Sequence, residues 1–250
     1  MQHISDRFKK GLARIIRRLP IRPIMRNRIK FDEDGLITFQ DPVFLRSEKF
    51  ARAYSAGART GSWGGMSIRW RAHVACWAAT QALRVHGDFI ECGVNRGGMS
   101  RAVADFVDFN KTGRTFYLLD TFEGLDSELL SENERATADK WHYDSCYEVV
   151  TATFADLQRA RIIKGRVPET LVQVDTEAVA YLSIDMNCTA PEIAAFRYFW
   201  PILSVGGVVL LDDYGWEGHE EQRAAFDGIA EELNVAILCL PTGQGLIVKS

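Results

Sequence analysis

The chain has 250 residues, of which 47% are hydrophobic, and a formal net charge of -3, values that suit one large globular domain, alone or with an extension. Its five cysteines include no C-x-x-C pair, which argues against a disulfide framework or a structural zinc site and favours a cytoplasmic location. The sequence contains no run of about 18 apolar residues that could cross a membrane. The first residues also lack the apolar core of a signal peptide.

The N-terminal segment is strongly basic. Residues 1–30 contain ten Lys or Arg and one acid, a net charge of about +9, whereas the remainder carries about -12. Apolar residues recur there at helical spacing, namely Phe8, Leu12, Ile15, Ile16 and Leu19. Such a helix either lies on an anionic membrane surface as a peripheral contact or packs on the acidic body or a second subunit, the commoner case. We therefore treat 1–60 as a basic helical extension or lid region and 61–250 as the main domain of an expected homo-oligomer.

From residue 58 onward the pattern becomes regular. A glycine-rich loop, 58–70, precedes a helix predicted over about 67–85, and short apolar runs then alternate with helical windows near 98–110, 146–159, 169–175 and 191–203. The runs cover 88–93, 115–120, 161–165, 179–185, 206–213, 235–240 and 245–249. Apolar strands separated by helices predict an α/β fold with a parallel sheet covered on both faces. The short "PTGQ" turn between the last two runs makes the seventh strand antiparallel.

The carboxyl ends of such strands form the ligand-binding edge of the sheet. The segment "ECGVNRGGMS" follows the first strand with the spacing G-x-x-x-G-G, not the G-x-G-x-x-G of nicotinamide-binding folds. Gly93 allows a sharp turn, and Gly97 and Gly98 allow a ligand to approach the backbone, although a structural glycine turn explains the pattern as well. Asp120 ends the second strand, where an acid accepts hydrogen bonds from ribose hydroxyls or caps the following segment.

These strand ends predict the cofactor site. Gly165, Arg166 and Val167 follow the third strand and provide walls for an adenine, and Glu91 lies near the positive end of the ligand. The predicted cofactor-binding residues are Glu91, Gly93, Asn95, Gly97, Gly98, Met99, Ser100, Asp120, Thr121, Phe122, Gly165, Arg166, Val167 and Asp185.

Three acids end the fourth and fifth strands. Asp185 follows one, and Asp212 and Asp213 follow the next. Neighbouring parallel strands lie about 4.8 Å apart, so the three carboxylates can converge on one point. All-oxygen ligands suit Mg²⁺ or Mn²⁺. In the alternative interpretation Asp213 faces away and Asp212 caps a helix.

Five blocks of the sequence together resemble the macrocin O-methyltransferase family: "GDFIECGVNRGG", "LLDTFEGL", "KGRVPETL", "LSIDMN" and "LSVGGVVLLDDYG". They occur in the order of that family and cover roughly residues 60–250. The resemblance implies a metal-assisted, S-adenosylmethionine-dependent enzyme that methylates a sugar hydroxyl, with a divalent ion at Asp185, Asp212 and Asp213. The predicted strand order is by analogy that of a Rossmann-like class I methyltransferase, with an N-terminal helical extension.

One position departs from the family. Where the family commonly has a second Asp two residues after the first, this sequence has Asn187, and an amide cannot serve as a base. The resemblance suggests Asp185 as base as well as metal contact, and His142, between two aromatic residues, is a second candidate. His219 follows the acid pair and lines the acceptor site, supplies a ligand, or simply begins a helix.

The sequence therefore predicts an O-methyltransferase with S-adenosylmethionine and Mg²⁺ or Mn²⁺ as cofactors and a small molecule or glycan as acceptor. No nucleic-acid partner is expected. Two alternatives are a non-catalytic scaffold of the same fold in a polysaccharide-assembly complex and a nicotinamide-dependent oxidoreductase.

Overall fold

The computed structural model describes residues 28–138 and 144–250. The chain divides into two compact units, with the boundary after Val43. The predicted N-terminal amphipathic helix, in residues 1–27, and His142 both lie outside the described residues.

The described part of the smaller unit contains a β-hairpin. Strands β1 (Phe31–Glu33) and β2 (Leu36–Thr38) pair antiparallel. Asp34 and Gly35 connect them with φ of 52° and 75°, and two consecutive positive φ angles are typical of the tight turns that match the twist of a hairpin. The sequence analysis missed this hairpin, because strands of three residues are too short to show an alternating pattern.

The larger unit is built on a seven-stranded sheet. Its strands are β3 (Asp88–Cys92), β4 (Phe116–Asp120), β5 (Ala160–Lys164), β6 (Val179–Ile184), β7 (Leu203–Leu211), β8 (Leu238–Cys239) and β9 (Gly245–Val248). Their order is β5-β4-β3-β6-β7-β9-β8. The first five run parallel, whereas β9 is antiparallel to β7 and β8. The predicted Rossmann-like sheet with an antiparallel last strand is confirmed.

Two helices of this unit precede these strands in the chain, and the others connect them. They are α1 (Glu48–Ala58), α2 (Arg69–Ala82), α3 (Gly98–Phe106), α4 (Glu132–Ala138), α5 (Tyr147–Thr153), α6 (Thr189–Phe199) and α7 (Glu220–Leu233). Short 3-10 turns occur at Val43–Arg46, Phe109–Lys111, Leu171–Gln173 and Trp200–Ile202. The window predicted at 169–175 is therefore a single 3-10 turn, and the sequence analysis did not identify α7. In the described part of the chain no helix is long and apolar enough to span a bilayer.

Alternate residues of the strands fill two apolar cores, one on each face of the sheet. Phe89 of β3 packs in one core and Ile90 in the other, as the two-residue period of a strand requires. All six residues of β6 are buried, because this central strand is covered on both faces.

The register of the central strands assembles one edge. Cys92 pairs with both Leu119 and Ile184, and Ile184 pairs with Leu211. The next residue of each strand therefore reaches the same edge; these residues are Gly93, Asp120, Asp185 and Asp212.

Candidate functional site

A cavity opens at this carboxyl edge, where the ends of β3, β4, β5 and β6 meet. It brings together many of the residues predicted to bind the cofactor: Gly93, Asn95, Asp120, Thr121, Phe122, Gly165, Arg166, Val167 and Asp185. Asn187, noted in the sequence as a departure from the family, also lines the cavity. The sequence analysis missed other lining residues, which come from loops and from the start of α6: Gly124, Leu125, Asp126, Leu129, Asp144, Cys146, Met186, Cys188 and Pro191. Gly124 and Leu125 belong to the block "LLDTFEGL", which could have indicated them.

Asp120 joins two turns of this cavity. Its Oδ2 accepts hydrogen bonds from the backbone N–H groups of Val94 and Asn95, at 2.6 and 2.7 Å. Its Oδ1 accepts from the N–H of Phe122 at 2.7 Å, so the predicted capping of the following segment is present. Oδ2 therefore has both lone pairs engaged. The hydroxyl of Thr121 lies 3.3 Å from Oδ1 but makes its shorter hydrogen bond to the carbonyl of Gly124, so Oδ1 can still accept one ligand hydroxyl.

The turn after β3 lies directly against the turn after β6. Gly93 has a φ of +87°, and a Cβ atom at this position would lie 1.9 Å from the carbonyl oxygen of Asp185. Only glycine fits here, because the conformation is left-handed and the neighbouring atom is backbone. Three other residues of the cavity wall, Asn95, Phe122 and Asn187, also have φ near +50°, and strained backbone of this kind is concentrated at functional sites.

The structure corrects the role predicted for the next two glycines. A Cβ on Gly97 would lie 2.5 Å from the ring of Phe154, and one on Gly98 would meet Ser62 and Trp63 at 2.7 and 2.8 Å. The N–H of Gly98 donates to Oγ of Ser62. These glycines therefore allow side chains of the protein, not a ligand, to approach the backbone at the start of α3.

Glu91, Met99 and Ser100 do not line the cavity either. All three are buried, and the hydroxyl of Ser100 donates a hydrogen bond to Oε2 of Glu91. Burial raises the pKa of Glu91 to about 8, and the hydrogen bond from Ser100 partly opposes this rise. Glu91 thus lies beneath the cavity floor rather than in its wall.

Arg166 lines the cavity and pairs with surface acids. Its guanidinium group contacts Asp126, Glu128 and Glu169 at 2.9 to 3.0 Å. Asp126 lies in the loop that follows β4, so Arg166 holds that loop at the side of the cavity.

The three predicted metal ligands converge. Asp185, Asp212 and Asp213 each offer one carboxylate oxygen, and these atoms all lie within 4.8 Å of one another. Asp212 and Asp213 are buried, and Asp185 is partly exposed. Asp213 does not face away, contrary to the alternative interpretation.

A cation of the protein itself reaches this cluster. Arg71 of α2 is buried, and its Nη1 lies 2.8 Å from Oδ2 of Asp212. The side-chain amide of Gln244 donates to Oδ1 of Asp212 at 2.9 Å. The guanidinium group also stacks on the ring of Trp216, with Cζ of Arg71 at 4.9 Å from the ring centroid. Arg71 could not be predicted from the sequence, because it is separated from Asp212 by 141 positions.

One positive charge does not balance the cluster. Loss of hydration raises the pKa of Asp185 well above its ordinary range, and Asp212 and Asp213 raise it further. For the same two reasons, burial and then Asp212, the pKa of Asp213 rises to about 6. Within the described residues, Oδ2 of Asp213 is buried without a hydrogen-bond partner. An orphaned carboxylate oxygen among converging acids fits a bound divalent cation.

A second cavity borders the first and shares Leu125 and Asn187 with it. Its other lining residues are Leu130, Asn133, Glu134, Gly218, His219, Glu220, Glu221 and Gln222. His219 thus lines a cavity next to the strand ends, whereas the candidate base His142 lies outside the described residues.

Comparison with known proteins places the chain in a family. Residues 67–235 match the macrocin-O-methyltransferase (TylF) family. The chain belongs to that family.

Two relatives of this chain come from Streptomyces. The 8-demethyl-8-(2,3-dimethoxy-alpha-L-rhamnosyl)-tetracenomycin-C 4'-O-methyltransferase of Streptomyces olivaceus is 30% identical over 56% of this chain and 57% of its own length. The demethyldecarbamoylnovobiocin O-methyltransferase of Streptomyces niveus is 27% identical over 60% of this chain and 62% of its own length. The chain thus spans only about three fifths of each relative.

A solved structure supports the fold assignment. The O-methyltransferase NovP superposes with a TM-score of 0.63 and 22% identity, over 72% of this chain and 79% of that chain. This likeness identifies the fold.

Proposed function

We propose that this protein is an S-adenosylmethionine-dependent, divalent-metal-assisted O-methyltransferase that acts on a hydroxyl group of a sugar or glycoside. The observation that carries the proposal is the convergence of Asp212 and Asp213 on Asp185, which lines the cavity that also holds Asp120. Membership of the macrocin-O-methyltransferase family supports methyl transfer, and the name of the Streptomyces olivaceus relative supports a sugar hydroxyl as acceptor.

The first cavity would bind the methyl donor. The carboxylate of Asp120 is positioned by three backbone N–H groups, and its Oδ1 would accept a hydrogen bond from a ribose hydroxyl. Phe122 and Val167 line the same cavity and provide apolar surface for the adenine. The positive sulfonium group would lie toward Asp185, which is the acidic residue of the wall at the end of β6.

Asp185, Asp212 and Asp213 would hold the divalent ion. When bound, such an ion fixes the acceptor oxygen and lowers the pKa of its hydroxyl group. Arg71 and Gln244 hold Asp212 in place, so that its orientation does not depend on the ion. Asp185 and His142 remain our candidates from the sequence for removal of the hydroxyl proton, although the charge on Asp185 is already needed for the ion.

The direct test is methyl transfer from radiolabelled S-adenosylmethionine to a panel of acceptors, including TDP-rhamnose, methyl α-L-rhamnoside, glycosylated natural products and glycolipids. We expect a labelled product that requires Mg²⁺ and disappears with EDTA. Calorimetric titration with S-adenosylmethionine and with NADH accompanies it. Binding of the first without any labelled product would favour the scaffold alternative, and binding of NADH alone would favour an oxidoreductase.

A further inference from the structure

The second cavity has the chemistry of a sugar-binding site. Its wall carries amide, imidazole and carboxylate groups from Asn133, Asn187, His219 and Glu221. Sugar hydroxyls both donate and accept hydrogen bonds, and such side chains offer partners for both. Because Asn187 also lines the first cavity, a sugar in the second cavity lies beside the predicted position of the methyl donor.

A buried hydrogen-bonded chain orients the imidazole of this cavity. Glu192 is fully buried, and its Oε1 accepts from the backbone N–H of Met186 at 2.8 Å. Its other oxygen accepts from the side-chain Nε2 of the buried Gln222. Oε1 of Gln222 lies 2.9 Å from Nδ1 of His219. Glu192 thereby connects the turn that carries Asp185 and Asn187 with the ring of His219.

This chain also selects the tautomer of the imidazole. The amide oxygen of Gln222 can only accept a hydrogen bond, so Nδ1 of His219 carries the proton. In the neutral ring, Nε2 is then the nitrogen with the available lone pair. Orienting a ring through one nitrogen leaves the other as a base of fixed direction.

Among the described residues of the second cavity, the carboxylates of Glu134, Glu220 and Glu221 already accept hydrogen bonds from protein groups, which makes the imidazole of His219 the better-placed base. Asn187 lies two residues after Asp185, and its amide takes no proton. Asp185 faces two further carboxylates and would share its electrons with the metal ion. We infer that the second cavity holds the acceptor and that Nε2 of His219 removes the proton from its hydroxyl group, an inference that rests on the proposed function.

The transfer step balances with these groups. The acceptor oxygen forms a bond to the methyl carbon while the carbon–sulfur bond of the sulfonium breaks, and its electron pair stays on sulfur as a neutral thioether. The hydroxyl proton moves to Nε2 of His219 and passes to water when the products leave.

Kinetics with the acceptor found in the panel test this assignment. His219→Gln keeps polarity at the position but removes the base, and we expect kcat to fall about 100-fold or more. The Kd values for S-adenosylmethionine and for Mn²⁺ stay within about twofold. Added imidazole should restore part of the activity of His219→Ala. The matched control is His86→Gln, an exposed histidine distant in the chain, which should retain the kinetics of the natural protein.

His142→Gln is the rival arm of the same experiment. If His142→Gln abolishes turnover and His219→Gln lowers kcat less than about threefold, the base is His142 and our inference is wrong. Loss of activity in His219→Gln with an equal loss of Mn²⁺ or donor affinity would likewise contradict it, because the residue would then be structural.

A measurement without turnover keeps the inference testable for any acceptor. In protein labelled with ¹⁵N-histidine, the His219 signals are assigned by their loss in His219→Gln. We expect the neutral ring to carry its proton on Nδ1 and to lose that preference in Gln222→Leu. A proton on Nε2 in the natural protein would overturn the inference. If no acceptor is methylated but the Nδ1 proton is found, the proposed function has failed and the oriented ring stands.

Discussion

Arg71 and Asp212, which lie far apart in the chain, form a buried ion pair in which Nη1 of the arginine is 2.8 Å from Oδ2 of the aspartate. The pair joins α2 to the end of β7 at the centre of the acidic cluster. It compensates one of the three strand-end charges, while Asp185 and Asp213 keep carboxylates with raised pKa values. The site therefore combines a permanent cation, Arg71, which attaches α2 to the end of β7, with residual negative charge, which suits a divalent ion.

We predict that Arg71→Gln destabilises the protein by about 3–5 kcal/mol in the absence of metal, because removal of one partner leaves a buried charge uncompensated. Loss of stacking on Trp216 adds to this effect. Urea unfolding followed by tryptophan fluorescence measures the change. Arg84→Gln, at an exposed position after the same helix, should change stability by no more than about 0.5 kcal/mol. Equal stability of the two variants would show that the ion pair contributes little.

We predict that Gly93→Ala is much more harmful than Gly113→Ala. Both glycines have positive φ, but a Cβ at Gly113 would meet nothing within 4 Å, whereas one at Gly93 would lie 1.9 Å from a backbone oxygen of Asp185. The left-handed conformation costs about 1–2 kcal/mol in each, and the collision should at least double the loss at Gly93.

Urea unfolding again provides the comparison for the two glycine variants, and Mn²⁺ titration reports any displacement of Asp185. An equal loss of unfolding free energy in both variants would contradict the prediction, since the backbone at Gly93 would then move aside freely.

Features that depend on residues close together in the chain could be predicted from the sequence, whereas contacts between distant residues could not. The buried parallel strands appear as continuous apolar runs, so the sheet and the convergence of Asp185 with Asp212 could be predicted from strand ends alone. Arg71 could not, because no local period connects a helical arginine with a strand that begins more than 100 residues later. Gly97 shows a different limit: glycine indicates a close approach but does not say that the approaching group is Phe154.

We predict that Glu91→Gln reduces the pH dependence of stability. The folded protein raises the pKa of Glu91 from 4.5 to about 8, so between these values the folded state holds a proton that the unfolded state releases. The unfolding free energy of the natural protein therefore falls as pH rises through this window. The amide removes this titration and can still accept the hydrogen bond from Ser100.

Chemical denaturation at about pH 5 and about pH 8 tests this prediction. At the higher pH, the variant should exceed the natural protein by at least about 1 kcal/mol. Glu177→Gln, at an exposed position, should leave the pH profile unchanged. A variant that is less stable than the natural protein at both pH values would refute the buried charge as the cause.

Asp213→Asn gives the cleanest test of the metal site, because within the described residues Oδ2 of Asp213 has no hydrogen-bond partner to lose. Burial and then Asp212 raise the pKa of Asp213 to about 6, so above that pH its charge opposes folding in the absence of metal. We predict that the variant is more stable than the natural protein at about pH 8 without metal. Its Mn²⁺ affinity should be lower by about tenfold or more, since one of three anionic ligands is lost.

The control is Asp108→Asn, because Asp108 is exposed and has a left-handed conformation that asparagine also adopts. If Asp213→Asn binds Mn²⁺ as tightly as the control, the converging carboxylates do not hold the ion.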